Sequence, residues 1–213
     1  MENREYIYVV FIKALTGLGV IGRWLTGYEY THIAVCLDPK LTDFITFSRR
    51  KHNAPFDAGF MHETRDCYAF GKHDKVKVKV CKIPVAPANM CTIREYITQI
   101  ERDSEYVFNL YSMITMPIVH GFPLYKSHNC MSFVSRILEL SEVVKLTKPY
   151  YRYSIPDIDE LLADYRCGEY QLRKKEVENP TYMGEVGIGS NIHSFLHLNV
   201  QLIARIFKNT KGR

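Results

Sequence analysis

The chain has 213 residues, 46% hydrophobic and 24% charged, with 28 basic against 23 acidic side chains and a formal net charge of +5. That apolar content excludes a disordered chain, the length suits one domain or one domain with a tail, and no segment approaches the roughly 18 uninterrupted apolar residues of a membrane-spanning helix. A soluble protein is expected. The surplus charge is concentrated: Tyr170 to Arg213 holds seven basic residues (Arg173, Lys174, Lys175, Arg205, Lys208, Lys211, Arg213) against Glu176, Glu178 and Glu185, which leaves the preceding chain nearly neutral. A nucleic-acid binder shows a basic stripe across its folded core, so nucleic acid is not an expected partner.

In chain order, Tyr6 to Ile12 is rich in β-branched and aromatic residues and reads as a buried strand. Glu2, Glu5 and Lys13 around this apolar run, with no small-x-small cleavage site after it, favour mature structure over a secretory signal. Leu18 to Leu25 reads as a short helix. Strands are expected at about Thr31–Leu37 and Asp43–Ser48 across the Asp38-Pro39-Lys40 turn, and Arg49 to Thr64, with Pro55 and Gly59, reads as a long loop. Lys75 to Lys82 alternates strictly, which places its valines toward a core and its lysines in water. Helical spacing covers Asn89 to Asp103 and Tyr106 to Met116, and Pro117 to Pro123 breaks the chain. Asn129 to Glu142 is a strongly amphipathic helix, Ser154-Ile-Pro-Asp157 opens another, Tyr170 to Lys174 reads as a last strand, and Ile192 to Phe207 as a broad apolar helix. Strands first, a helical middle and a returning strand give an α+β fold with a mostly antiparallel sheet.

Six cysteines, at 36, 67, 81, 91, 130 and 167, form no CxxC pair and no metal-ligand spacing. Without a signal peptide, reduced thiols in a cytoplasm are expected. Only Cys130 stands at the start of a strong helix, behind Asn129, where unpaired N–H groups and the positive dipole end favour a thiolate and offer donors to an oxyanion. Taken alone, a cysteine there is more often a small core residue. A nucleophilic thiol needs a base brought to it by the fold. Among eight histidines, His32 opens a strand in Tyr30-Thr-His-Ile-Ala-Val35, while His128, His52, His62 and His73 are weaker candidates. His193 and His197 are spaced i, i+4 without a third ligand, so neither a metal nor another cofactor is expected.

Thr31-His-Ile-Ala-Val, the turn to Phe44-Ile-Thr-Phe-Ser48, and the later Asn129-Cys-Met-Ser-Phe-Val134 together resemble the circularly permuted branch of the NlpC-type papain-like cysteine hydrolases, the group that includes lecithin:retinol acyltransferase relatives. In that branch the histidine strand precedes the cysteine helix, and here His32 precedes Cys130. The strand and Gly-rich turn before His32, with Ile21-Gly-Arg23 and Thr26-Gly27, are similar to bacterial members. The resemblance spans about residues 5–165. It implies a permuted papain-like fold, a catalytic domain over 1–175, and a basic C-terminal extension over 176–213 with one amphipathic helix.

Residue by residue, the resemblance implies Cys130 as nucleophile and His32 as general base and acid. The third, orienting position falls on the strand after His32, where strand phase points to Thr46 or Ser48; neither is charged, and Glu63 on the following loop is a further candidate by folding back. Tyr30, Tyr106 and Tyr111 are candidate oxyanion donors, with aromatic core as the simpler reading for each. The implied activity is a cysteine hydrolase or acyltransferase working on an amide, ester or thioester of a small acyl, lipid or peptide substrate through a thioester intermediate. The alternative is a non-enzymatic binding module with a degraded site, favoured by the uncharged third position. The apolar tail helix with its basic end suits either peripheral membrane contact or packing on the core.

Overall fold

A computed structural model describes residues 4–174 and 181–211. The expected domain boundary at 175/176 lies outside the described residues, as do Glu2, Lys175, Glu176, Glu178 and Arg213. The fold is α+β, with one six-stranded antiparallel sheet and six α-helices among the described residues. The strands are β1 (Glu5–Ile12), β2 (His32–Cys36), β3 (Phe44–Lys51), β4 (Ala54–Glu63), β5 (Lys75–Val85) and β8 (Arg166–Arg173), in the order β4-β3-β2-β1-β5-β8. The helices are α1 (Gly17–Thr26), α2 (Pro87–Arg102), α3 (Leu110–Val119), α4 (Cys130–Ser141), α5 (Ile155–Leu161) and α6 (Ile188–Lys211). Two short strands, β6 (Val107–Phe108) and β7 (Ser127–His128), pair in parallel just before α4.

Strand alternation splits the core in two. One face presents Val9, Phe11, Ile33, Val35, Ile45 and Phe47, which pack with Ile93 and Ile97 of α2 and Phe133, Val134 and Ile137 of α4. The other presents Val10, Ile12, Ala34, Cys36, Phe44 and Val78, covered by Cys67, Tyr68 and Ala69 from the β4–β5 connection and by Tyr182 from beyond residue 180. Tyr182 is buried, its carbonyl accepts from His52 N at 2.7 Å, and its hydroxyl accepts from Arg49 Nε at 3.3 Å.

Four expectations are corrected. The stretch 49–64 is not a loop: β3 runs to Lys51, turns at His52-Asn53, and returns as β4, with Phe44 opposite Glu63 and Ser48 opposite Gly59. Pro55 and Gly59 disguised this strand, and a sheet edge is where a proline with no N–H to donate is tolerated. Lys79 is not solvated. It is 8% exposed and ion-paired to Asp159 at 2.7 Å, because α5 and β8 close over that side of β5. Tyr106 starts no helix; Val107 and Phe108 pair with Ser127 and His128, and α3 begins only after the Asn109 cap. Pro117 does not stop α3, which runs to Val119 and closes with His120 N on Met116 O at 3.0 Å; a proline in a last turn forfeits one hydrogen bond there.

Candidate active site

Cys130 is the first residue of α4, held by a reciprocal cap: Asn129 Oδ1 accepts from Ser132 N at 2.9 Å and Ser132 Oγ accepts from Asn129 N at 3.0 Å. The cap fixes where the helix starts. Burial of Phe133, Val134, Ile137 and Leu138 against the sheet fixes where α4 lies. The N–H groups of Cys130 and Met131 open the helix and so have no intrahelical acceptor, and the Cys130 side chain lies almost wholly inside, at 6% exposure.

His32 opens β2 opposite Ile12 of β1. Its ring is held from two sides. Nε2 donates to Glu63 Oε2 at 2.8 Å, and the Cys130 side chain at the start of α4 acts on the same imidazole and raises its basicity. Glu63 is fixed in turn by Ser48 Oγ, which donates to Oε1 at 2.5 Å, and by Tyr68 OH, which donates to Oε2 at 2.7 Å. The Tyr68 ring lies 5.9 Å from that of His32.

Each group's titration follows from its neighbours. Burial alone would push the His32 imidazole down, but the Glu63 charge, assisted by hydrogen bonds to Cys130 and Glu63, outweighs it and holds His32 well above the ordinary histidine value of 6.5. Burial would raise the Glu63 carboxyl; His32 and the two hydroxyl donors outweigh that and lower it from 4.5. Tyr68 is raised by burial and by the Glu63 charge, so it stays a donor. The arrangement is a buried, charge-paired histidine with a thiol on one side and a carboxylate on the other.

The carboxylate bonded to His32 is Glu63, which projects from the end of a strand rather than folding back from a loop. Thr46 is engaged elsewhere: it is fully buried and its Oγ1 donates to Ile33 O at 2.9 Å. Ser48 acts at one remove, on Glu63. Glu63 is among the sequence candidates, but as a loop residue; the hairpin register that places it on β4 is hidden by Pro55 and Gly59.

His128, two residues before Cys130, is turned to different partners. Tyr96 OH donates to its Nε2 at 2.8 Å, its Nδ1 lies 3.3 Å from Ser132 Oγ, and the rings of Phe47, Tyr106 and Phe133 surround it. Burial, with the nearby Arg136 charge, pushes it down to about 3, so it stays neutral. The tyrosine candidates are engaged elsewhere: Tyr30 OH donates to Glu169 at 2.5 Å, Tyr111 OH to Asn199 at 2.5 Å, and Tyr106 stacks on His128. His193 and His197 stack at 6.0 Å, and among the described residues no group of three His, Cys, Asp or Glu is placed to hold a metal ion. No helix among the described residues is long and apolar enough to cross a membrane.

No protein-family model matches the chain, and no curated protein or solved structure does either.

Proposed function

We propose that the protein is a cysteine hydrolase or acyltransferase with Cys130 as nucleophile, His32 as proton carrier and Glu63 as the group that orients and charges His32. One observation carries the reading: the His32 ring is bonded to the buried Glu63 carboxylate and is coupled electrostatically to Cys130 at the start of α4. A histidine so flanked takes a thiol's proton and keeps the resulting imidazolium stable. The His-before-Cys order agrees with the permuted NlpC-type resemblance, and a permuted papain-like fold is part of the same proposal.

Cys130 Sγ attacks the carbonyl carbon of an amide, ester or thioester, its proton having passed to His32. Negative charge gathers on the carbonyl oxygen, where the N–H groups of Cys130 and Met131 at the positive end of α4 are the nearest backbone donors. Collapse expels the leaving group, which takes the proton from His32, and a thioester remains on Cys130. Water or another acceptor then gives its proton to His32 and attacks the thioester, which frees the acyl product and restores the thiol. Glu63 binds neither substrate nor proton in this cycle; it holds Nε2 so that Nδ1 is the nitrogen left for the thiol.

The binding-module reading drew its support from an uncharged third position, and Glu63 brings a charge to His32 from β4 instead. The test is acyl transfer from a p-nitrophenyl ester followed by intact-mass and peptide mapping. The expected result is one acyl group on Cys130 in the wild-type chain and none on Cys130→Ala. An acyl group on another cysteine, or none on the wild type while Cys130 is free, would show the assignment to be wrong.

A further inference from the structure

We propose that α3 and α6 together form a docking surface for a lipid bilayer bearing anionic headgroups. α6 has two different sides. On one, Leu198 and Leu202 are buried, and Phe195 meets Phe56 of β4 with ring centroids 4.9 Å apart. Beside that seam Ile192, Leu196, Val200 and Ile203 are all exposed, Val200 at 67%. Their spacing of four, four and three residues keeps them on a single stripe.

The stripe does not end with α6. Asn199, between Leu196 and Val200, accepts from Tyr111 OH of α3 at 2.5 Å. Three and seven residues after Tyr111, on the same face of α3, come Ile114 and Ile118, the latter 80% exposed. The Tyr111–Asn199 bond ties α3 to α6, and each of the two helices carries exposed branched aliphatic side chains, two on α3 and four on α6. Exposed apolar side chains scattered singly are ordinary, whereas a contiguous patch marks an interaction site.

Charge selects the occupant. Residues 188–211 contain no Asp or Glu. The helix carries Arg205, Lys208 and Lys211, and Lys208 is 60% exposed, 3.8 Å from Glu105 and 5.2 Å from the centre of the Tyr125 ring. An apolar stripe on a helix that carries basic residues and no acidic ones fits the headgroup boundary of an anionic bilayer, the apolar side chains entering it and the basic side chains favouring its negative surface. α6 would lie in the plane of that boundary rather than cross it.

This inference does not rest on the thiol chemistry, and its test keeps the two apart. The full chain is floated with vesicles of phosphatidylcholine alone or mixed with phosphatidylglycerol. The expected result is flotation with the mixed vesicles, weakened by added salt. The double change Val200→Glu and Ile203→Glu, and separately Ile118→Glu, should each cut the bound fraction roughly tenfold or more, with unchanged circular dichroism and unchanged iodoacetamide labelling of Cys130. Cys130→Ala should bind like the wild type. The exposed Trp24 on α1 serves as the control, and Trp24→Ala should also bind normally. The proposal is overturned if the wild type fails to float with mixed vesicles, or if the α3 and α6 variants bind undiminished. Loss of binding confined to Trp24→Ala overturns it too, as does self-association of the wild type that the α6 variant abolishes.

Discussion

His32 and His128 are both largely buried and both stand close to Cys130, yet their neighbours give them opposite characters. His32 meets a carboxylate and a thiol and is held as a cation. His128 meets a tyrosine hydroxyl, aromatic rings and the Arg136 charge, and is held neutral. Burial penalises the charged form of both, so burial does not distinguish them; the buried carboxylate does. Nearness in sequence misleads as well, since the histidine two residues from Cys130 is committed to packing and the one on a distant strand is not.

Five substitutions break or sharpen this contrast. The largest effect is expected for His32→Gln, which should slow acylation and alkylation of Cys130 about a thousandfold at neutral pH, whereas His128→Gln should leave either rate within a few-fold. Stopped-flow alkylation of both variants decides this.

Glu63→Gln comes next. It should cost about 3 kcal/mol of stability, the scale for removing one partner of a buried pair, and lower Cys130 reactivity roughly a hundredfold. The pH dependence carries a sign. The raised His32 value gives stability that is complete below 6.5 and fades as pH rises through the folded-state value, and the lowered Glu63 value gives stability that is complete above 4.5 and fades as pH falls. The pair's contribution is therefore greatest between those two values. Urea denaturation across pH should show that plateau in the wild type and lose it in Glu63→Gln.

His128 runs the other way. Its lowered value makes the unfolded chain the better proton acceptor between 6.5 and about 3, so its contribution is full above 6.5 and is lost on acidification. His128→Gln should cost about 1–3 kcal/mol at neutral pH and should flatten the acid side of the same denaturation series. The smallest effects separate the two hydroxyls. Ser48→Ala, which removes a donor to a charged carboxylate, should cost about 2 kcal/mol and some reactivity. Thr46→Val should cost under about 1 kcal/mol with reactivity unchanged.

Much of this contrast can be read from the sequence. Cys130 at a helix start follows from Asn129 and the apolar spacing after it, and His32 at a strand start follows from Ile33, Ala34 and Val35. What links them is visible only in part: Glu63 can be named as a candidate, but it belongs to a strand whose proline and glycine imitate a loop and whose register is set only by pairing with β3. Lys79 shows the same limit: alternation gives its side of β5 correctly, but only α5 and β8, brought in from far along the chain, bury it against Asp159. Tertiary neighbours decided both.

Competitive alkylation of the six thiols at neutral pH tests the Cys130–His32–Glu63 assignment most directly. A sub-stoichiometric amount of iodoacetamide is added to the native chain and the modified cysteine is located by peptide mapping. Cys91 and Cys167 are exposed, whereas Cys130 is buried with Cys36, Cys67 and Cys81. On accessibility alone Cys91 and Cys167 would react first. Activation by His32 predicts that Cys130 is modified ahead of both, and that this lead disappears in His32→Gln. Modification of Cys91 and Cys167 before Cys130 in the wild-type chain would contradict the assignment.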